Sequence, residues 1–243
     1  MKNIALLTAK GNNVTLENKN LVEIEGKSSL AWQIEAAQKS KAIDQVFVST
    51  ECPMIKEESL RLGATIIDRP AELAQAFTNH GDAILHGAKA ARQMIGEEIG
   101  TVTILLGNTS LNRAEDIDEC YKLLSGNSEA DGVMTVWLAQ DDHPFRAMTI
   151  GEDGYLKSFL NLKGVDTNRQ SYPNVYFYDQ GPWMVRYSSL LDSVNTRPGP
   201  ASWWWMGKNV LPLIRLWVTG RDIHTQLDVE IAKAWIREEL WKL

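Results

Sequence analysis

The sequence predicts an α/β fold built on a mostly parallel sheet, and three observations carry that expectation. Short, continuously apolar runs recur at Asn3–Thr8, Val46–Thr50 and Thr101–Leu106, the pattern of strands buried on both faces. Stretches of helical length separate them, several opened by a capping residue or a proline. The strand–helix alternation fits βαβ crossovers, which impose parallel pairing. At 243 residues the chain is long enough for one sizeable core, and it reads as a single domain over 1–243.

Each element has its own signal. Asn3–Thr8 is the first strand, followed by a loop at Lys10–Asn13 rich in Gly and Asn. Ser28 or Ser29 caps a helix running to about Lys41, with Leu30, Ile34 and Ala37 on its inner face. Val46–Thr50 is the next strand, and Pro53 opens a helix where its missing N–H costs nothing. Ala64–Asp68 reads as a third strand, Gly81–Gln93 as a helix and Thr101–Leu106 as a fourth strand. Ala114–Leu124 is helical and Asp131–Leu138 extended. From Gly151 the regular alternation lapses, and Asp153-Gly154 signals a hairpin turn, so the region 151–173 reads as an arm leaving the sheet. The last helix, Thr225–Leu243, sets Val229, Ala232, Ile236 and Leu240 on one stripe.

Composition narrows the function. Lys plus Arg total 25 against 31 Asp plus Glu, a net charge of -6, with 44% hydrophobic residues. That balance argues against a nucleic-acid binder, whose affinity rests on surplus cations. The apolar run Ile4–Leu7 is too short for a membrane span or a signal peptide, so a cytoplasmic protein with no membrane partner is expected. Cys52 and Cys120 form neither a disulfide framework nor a zinc pattern, and both read as packing residues. Locally the charge differs: residues 1–20 carry Lys2, Lys10 and Lys19 against Glu17 alone.

Ligands on parallel sheets sit at the carboxyl ends of the strands. That rule selects Lys10–Asn20, Arg69 and Gly107–Arg113. A Gly- and Asn-bearing loop after a strand can aim backbone N–H groups at phosphate, with Lys10 and Lys19 adding charge, although a solvated surface loop has the same composition.

Read in order, these segments resemble the acylneuraminate cytidylyltransferases. The resemblance runs through Ala9-Lys10-Gly11-Asn12-Asn13, Lys19-Asn20, Gly26-Lys27, Val48-Ser49-Thr50 and Arg69-Pro70-Ala71-Glu72-Leu73-Ala74. It continues through Asn108-Thr109-Ser110, Arg113, Glu115-Asp116-Ile117, His143-Pro144-Phe145-Arg146, Arg169-Gln170 and Asp222-Ile223-His224-Thr225-Gln226-Leu227-Asp228. It implies a Rossmann-like nucleotidyltransferase sheet, a homodimer joined through the arm, and transfer of CMP from CTP to a sialic-acid-like nonulosonate with release of pyrophosphate. Another sugar acid or a phosphonate as acceptor, or a catalytically silent nucleotide-binding relative, stays open.

The resemblance also implies roles. Ala9, Lys10, Gly11, Asn12, Asn20, Arg69 and His80 would meet the nucleotide, with Lys10 and Lys19 on its phosphates. Arg69 would read the acceptors of the cytosine ring, or else pair with Glu72 or Asp68 at the surface. His80 would lie near the base, or serve as a helix cap. Asn108, Arg146, Arg169, Gln170 and Trp204 would bind the acceptor, with bidentate arginine suited to a carboxylate. The run Trp203-Trp204-Trp205, read as a strand, cannot place all three rings on one side, so at least one is packing or interface, and the resemblance implies that one faces substrate.

Several positions depart from the family pattern. Lys10 replaces an arginine; Asn12, Asn13 and Val14 replace a glycine, a serine and a lysine; Gly107 stands in place of a glutamine. His224 replaces the second aspartate of the pair that holds Mg²⁺ in the family. Asp222 and His224 are therefore the candidate metal ligands, for Mg²⁺ or, with imidazole, Mn²⁺. His224 could equally be the general base or mark lost activity. Thr225 and Asp228 fit a capping box.

Overall fold

The computed structural model describes residues 1–11, 16, 18–199 and 201–242. In chain order the elements are β1 (Lys2–Thr8), β2 (Glu23–Ile24), β3 (Lys27–Ser28), α1 (Ser29–Lys39), β4 (Gln45–Thr50), α2 (Pro53–Arg61), β5 (Thr65–Asp68) and α3 (His80–Ile95). They continue with β6 (Ile99–Leu106), α4 (Ala114–Ser125), β7 (Gly132–Leu138), β8 (Met148–Ile150), β9 (Leu156–Ser158), β10 (Tyr176–Arg186), α5 (Tyr187–Thr196), β11 (Val210–Ile214) and α6 (Gln226–Arg237). The seven-stranded sheet has the order β11-β7-β10-β6-β1-β4-β5. Every pairing in it is parallel except those of β10 with β6 and β7.

Both faces of β1 are covered, which explains its unbroken apolar run. Ala5 and Leu7 pack with Leu30 and Ile34 of α1 and Ile117 of α4. Ile4 and Leu6 pack with Ile84 and Ala88 of α3 and with Trp204 and Trp205. A third cluster seats Val229, Ala232 and Trp235 of α6 against Ile24 and Leu111. Burying side chains of this size stabilises by about 1.5–3 kcal/mol each.

The structure adjusts several expectations. α1 is capped by Ser28, whose hydroxyl accepts from Ala31 N, and it stops at Lys39 rather than Lys41. α6 ends at Arg237, with a separate 3-10 turn at Leu240–Lys242. The arm begins three residues before Gly151, with the β8–β9 hairpin turning through Gly154 at φ 79°. The tryptophan run is not a strand: Ala201–Met206 is 3-10 helical with a kink at Trp203. β10 escaped the sequence reading because Gly181-Pro182 interrupts its pattern and a register shift separates Tyr178 from Trp183.

Candidate active site

A cavity of about 230 Å³ opens where β1, β5 and β6 end. Thr8 closes β1 on its floor, Lys10 and Lys19 approach from the following loop, Arg69 comes from the end of β5, and Leu106 and Asn108 from the end of β6. The turn of chain from Leu73 to Asn79 and the first residue of α3, His80, form the remaining wall.

Arg69 is 7% exposed, its guanidinium donating from Nη2 to Ser49 O at 2.6 Å and from Nε to Ser49 Oγ at 3.2 Å. The surface ion pair that was its alternative does not form: Asp68 is held by Lys56 instead, and no carboxylate among the described residues pairs with Arg69. Burial pushes its pKa down, with Glu51 acting the other way. A buried cation held by neutral partners is poised for an electron-rich ligand.

His80 does not cap its helix. Asn79 does, its Oδ1 accepting from Gly81 N at 2.9 Å and from Trp204 Nε1 at 3.1 Å. His80 Nε2 lies 2.8 Å from Thr8 Oγ1, turned into the cleft. Burial, then the charges of Arg69 and Lys10, lower its pKa to about 4, so the ring is neutral at physiological pH. Burial also lowers Lys19, opposed by Asp222 and assisted by Lys10. Asn20, 3% exposed, donates from Nδ2 to Lys10 O and so shapes the loop. Close approach explains Gly107, where an added Cβ would lie 2.8 Å from both Ala9 Cβ and Asn20 Oδ1.

At the cleft margin, Asp222 bridges to Thr109 in an isolated β-pairing, and Ile223 N donates to Asn108 O. Asp222 Oδ2 sits 2.6 Å from His224 Nε2 and 3.1 Å from Asn108 Nδ2. Asp228 caps α6, accepting from the backbone N–H of both His224 and Thr225 and pairing with Arg221 at 2.8 Å. Among the described residues no three His, Cys, Asp or Glu side chains converge as a metal centre. Asp222 offers one carboxylate and His224 an imidazole, so a divalent cation here would draw most of its ligands from outside these side chains.

Other expected site residues lie elsewhere or are otherwise engaged. Ala9 is 2% exposed and its N–H donates to Ser49 O, so that N–H is not offered to a nucleotide. Gly11 N–H donates to Glu51 Oε1 at 2.7 Å instead of pointing at a free phosphate pocket. Asn12 lies outside the described residues, as do Asn13 and Val14. Trp204, expected to face substrate, is 4% exposed and packs where a Cβ on Gly81 would fall 2.6 Å from its ring. It supports the cleft through Asn79, and the less buried Trp203 stacks on Tyr178 with ring centroids 3.8 Å apart.

Arg146 and Arg169 do meet each other, but on Asp141: their Nη1 atoms lie 3.5 and 3.0 Å from its Oδ1. Both belong to the arm side of the molecule rather than to the cleft lining, and Gln170 is exposed beside them. His143 is likewise structural, taking Phe145 N on Nδ1 and lying 3.0 Å from Pro173 O through Nε2. Thr8, Glu51 and Asn79 were missed. Their signal was the strand-end rule, since Thr8 and Glu51 end or follow strands and Asn79 precedes a helix without apolar periodicity before it.

The cytidylyltransferase family model matches residues 4–84. Over this segment the chain is similar to the cytidylyltransferases. The matched segment contains Lys10, Lys19, Asn20, Arg69 and His80, the cations and polar groups of the cleft, whereas Asn108, Asp222 and His224 lie beyond it. Among curated cytidylyltransferases, the bifunctional pseudaminic acid cytidylyltransferase and UDP-2,4-diacetamido-2,4,6-trideoxy-beta-L-altropyranose hydrolase of Helicobacter pylori is 25% identical over 182 residues, 74% of this chain and 34% of that one. The N-acylneuraminate cytidylyltransferase of Escherichia coli is 26% identical over 170 residues, 70% of this chain and 39% of that one. A 3-deoxy-manno-octulosonate cytidylyltransferase of Synechococcus elongatus is 34% identical over 83 residues, 34% of each chain. The chain thus spans about a third to two-fifths of the length of these curated cytidylyltransferases.

The fold is shared with solved structures. The solved CMP:2-keto-3-deoxy-manno-octonic acid synthetase complexed with CTP superposes with TM-score 0.71 over 98% of this chain and 100% of that one, at 15% identity. A 4-diphosphocytidyl-2C-methyl-D-erythritol synthase superposes with TM-score 0.67 over 97% of this chain and 100% of that one, also at 15% identity. No helix among the described residues is long and apolar enough to cross a membrane.

Proposed function

We propose that this chain is a CTP-dependent cytidylyltransferase that transfers CMP to an acidic, sialic-acid-like sugar and releases pyrophosphate. The observation that carries the reading is the convergence of Lys10, Lys19 and Arg69 in one cleft at the strand ends, inside the segment matched to the family. Three cations there suit a triphosphate and an electron-rich base, while the rest of the chain keeps its acidic balance.

The acceptor hydroxyl oxygen forms a bond to the α-phosphorus as the bond from that phosphorus to the α–β bridging oxygen breaks. Pyrophosphate leaves, and the hydroxyl proton passes to His224 or to water. Lys10 and Lys19 neutralise the departing phosphates, Arg69 and Asn20 address the nucleoside, and His80, uncharged, supports Thr8 without adding to the cation count. Asp222 is the ligand offered to Mg²⁺, with His224 able to join for Mn²⁺; when bound, the metal supplies charge neutralisation. Arg146 and Arg169, on the arm side and outside the cleft of their own chain, are assigned to the acceptor carboxylate across the proposed dimer, with Asp141 holding them here. The exposed apolar side chains of the arm, Met148, Ile150, Leu156 and Phe159, suit burial against a second copy, hence a homodimer.

A silent nucleotide-binding relative is the second reading, favoured by the closed contact of His224 on Asp222 and of Glu51 on Gly11. Pyrophosphate release decides between them. CTP is supplied with Mg²⁺ or Mn²⁺ and a panel of sialic, pseudaminic and 3-deoxy-manno-octulosonic acids. Release with one of these acids, weakened in Arg169→Ala through the acceptor KM and not through CTP, supports the enzyme. CTP binding without release on any acceptor supports the silent relative.

A further inference from the structure

A second cavity, of about 320 Å³, opens on the side of the sheet covered by α1 and α4, away from α3 and the cleft. It lies between α1, α6 and the turn that leads from β6 into α4. Its size falls in the range of small-molecule sites, roughly 300–1,000 Å³. Two indoles, Trp32 and Trp235, line it together with Leu111 and Ile236.

The polar groups in this cavity are what single it out. Ser110 is 4% exposed and Trp235 is 7% exposed, yet neither the Ser110 hydroxyl nor the Trp235 indole N–H has a hydrogen-bond partner among the described residues. Trp32, by contrast, donates from Nε1 to Ile24 O at 2.9 Å. Neither atom is sealed from solvent, so both donors are open to an oxygen acceptor that enters the cavity in place of water. Lys39 and Arg113 stand at the rim, pairing with Glu35 at 3.3 Å and Glu115 at 3.1 Å. The Lys39–Glu35 pair is exposed and holds by about 1 kcal/mol or less, so Lys39 can turn to an anionic ligand, while Arg113 adds positive charge from where it stands.

We propose that this cavity is a second ligand site, for a small aromatic carboxylate. The ring lies between Trp32 and Trp235, and the carboxylate oxygens accept from Ser110 and the Trp235 N–H near Arg113. The site is distinct from the cleft and shares two elements with it. The turn that bears Ser110 begins at Asn108 in the cleft, and α6 starts beside His224. Nothing in the assignment depends on which nucleotide or sugar the cleft takes.

Calorimetric titration of the full chain with indole-3-acetate, without nucleotide, tests the site. One equivalent is expected to bind, with tryptamine, the same ring carrying an ammonium group, at least about tenfold weaker. Ile236→Trp, which fills the cavity from a partly exposed position, abolishes binding; Ser110→Ala, a minimal change, weakens it several-fold. Circular dichroism checks that both variants keep the parent's helix content. Absence of binding, equal affinity for tryptamine, or unaltered binding in whichever variant folds overturns the proposal.

Discussion

His224 Nε2 lies 2.6 Å from Asp222 Oδ2, so an imidazole stands against the carboxylate at the cleft margin to which the proposed function gives a metal. Imidazole is a better ligand for Mn²⁺ than for Mg²⁺, which prefers hard oxygens. We expect Mn²⁺ to support pyrophosphate release at lower concentration than Mg²⁺ in the parent chain. His224→Asp should reverse that order, and His224→Ala should lower kcat by about a hundredfold with either metal. Metal titrations of initial rate check all three. An unchanged metal order in His224→Asp removes the residue from the metal site.

Asp228 ties the same segment together from behind. Burial pushes its carboxyl up, but hydrogen bonds from Arg221, Thr225 and His224 outweigh that and hold its pKa at about 2. A carboxyl lowered on folding contributes stability that is present above its unfolded value near 3.8 and is lost as pH falls toward 2. Asp228→Ala should therefore destabilise by about 1–3 kcal/mol at pH 7, and less at pH 2.5. Urea unfolding at the two pH values measures the difference.

Arg215 and Asp179 anchor the far side of the sheet. Their side chains are 5% and 1% exposed and meet at 2.9 Å, with Arg215 also reaching Asp116 at 3.0 Å and the Gly181 carbonyl. Removing one partner leaves a buried charge uncompensated, so Arg215→Met should cost about 3–5 kcal/mol. The double variant Arg215→Met with Asp179→Asn should cost less than Arg215→Met alone, because the charge left unpaired is then only that of the partly exposed Asp116 and not the buried Asp179. Chemical denaturation of the three chains decides it; a double variant worse than the single one contradicts the account.

How far the sequence revealed this molecule depended on what each residue's neighbours were. β1, β4 and β6 were legible because strands buried on both faces need an unbroken apolar run, and the helices between them announced themselves by caps such as Ser28 and Pro53. β10 was not, since an antiparallel strand interrupted by Gly181-Pro182 has no local period to detect. The cleft residues Lys10, Lys19, Asn20, Arg69 and Asn108 followed from the strand-end rule, which depends only on topology. What Trp204 and Gly11 touch could not be read from the sequence. Whether a ring faces ligand or a helix N-terminus, and whether an N–H is free or given to Glu51, depends on residues distant in the chain.

His80 provides a pH signature that isolates the cleft. Its ring is held neutral, with a pKa of about 4 against an ordinary value of 6.5, by burial and by the charges of Arg69 and Lys10. Between those values the unfolded chain binds a proton that the folded chain refuses, so stability rises with pH in that window and falls as pH drops from about 6.5 to about 4. The carboxyl of Asp228 titrates below this range, near 2, and does not obscure it. His80→Asn keeps a polar partner for Thr8 and removes the titration. It should be more stable relative to the parent at pH 4.5 than at pH 7, by about 1–3 kcal/mol. Guanidinium unfolding of both chains across pH 4.5–7 gives the comparison. Parallel curves for the two chains mean that His80 is protonated as readily in the fold as in the unfolded chain, and that the cleft is wetter and less cationic than its geometry implies.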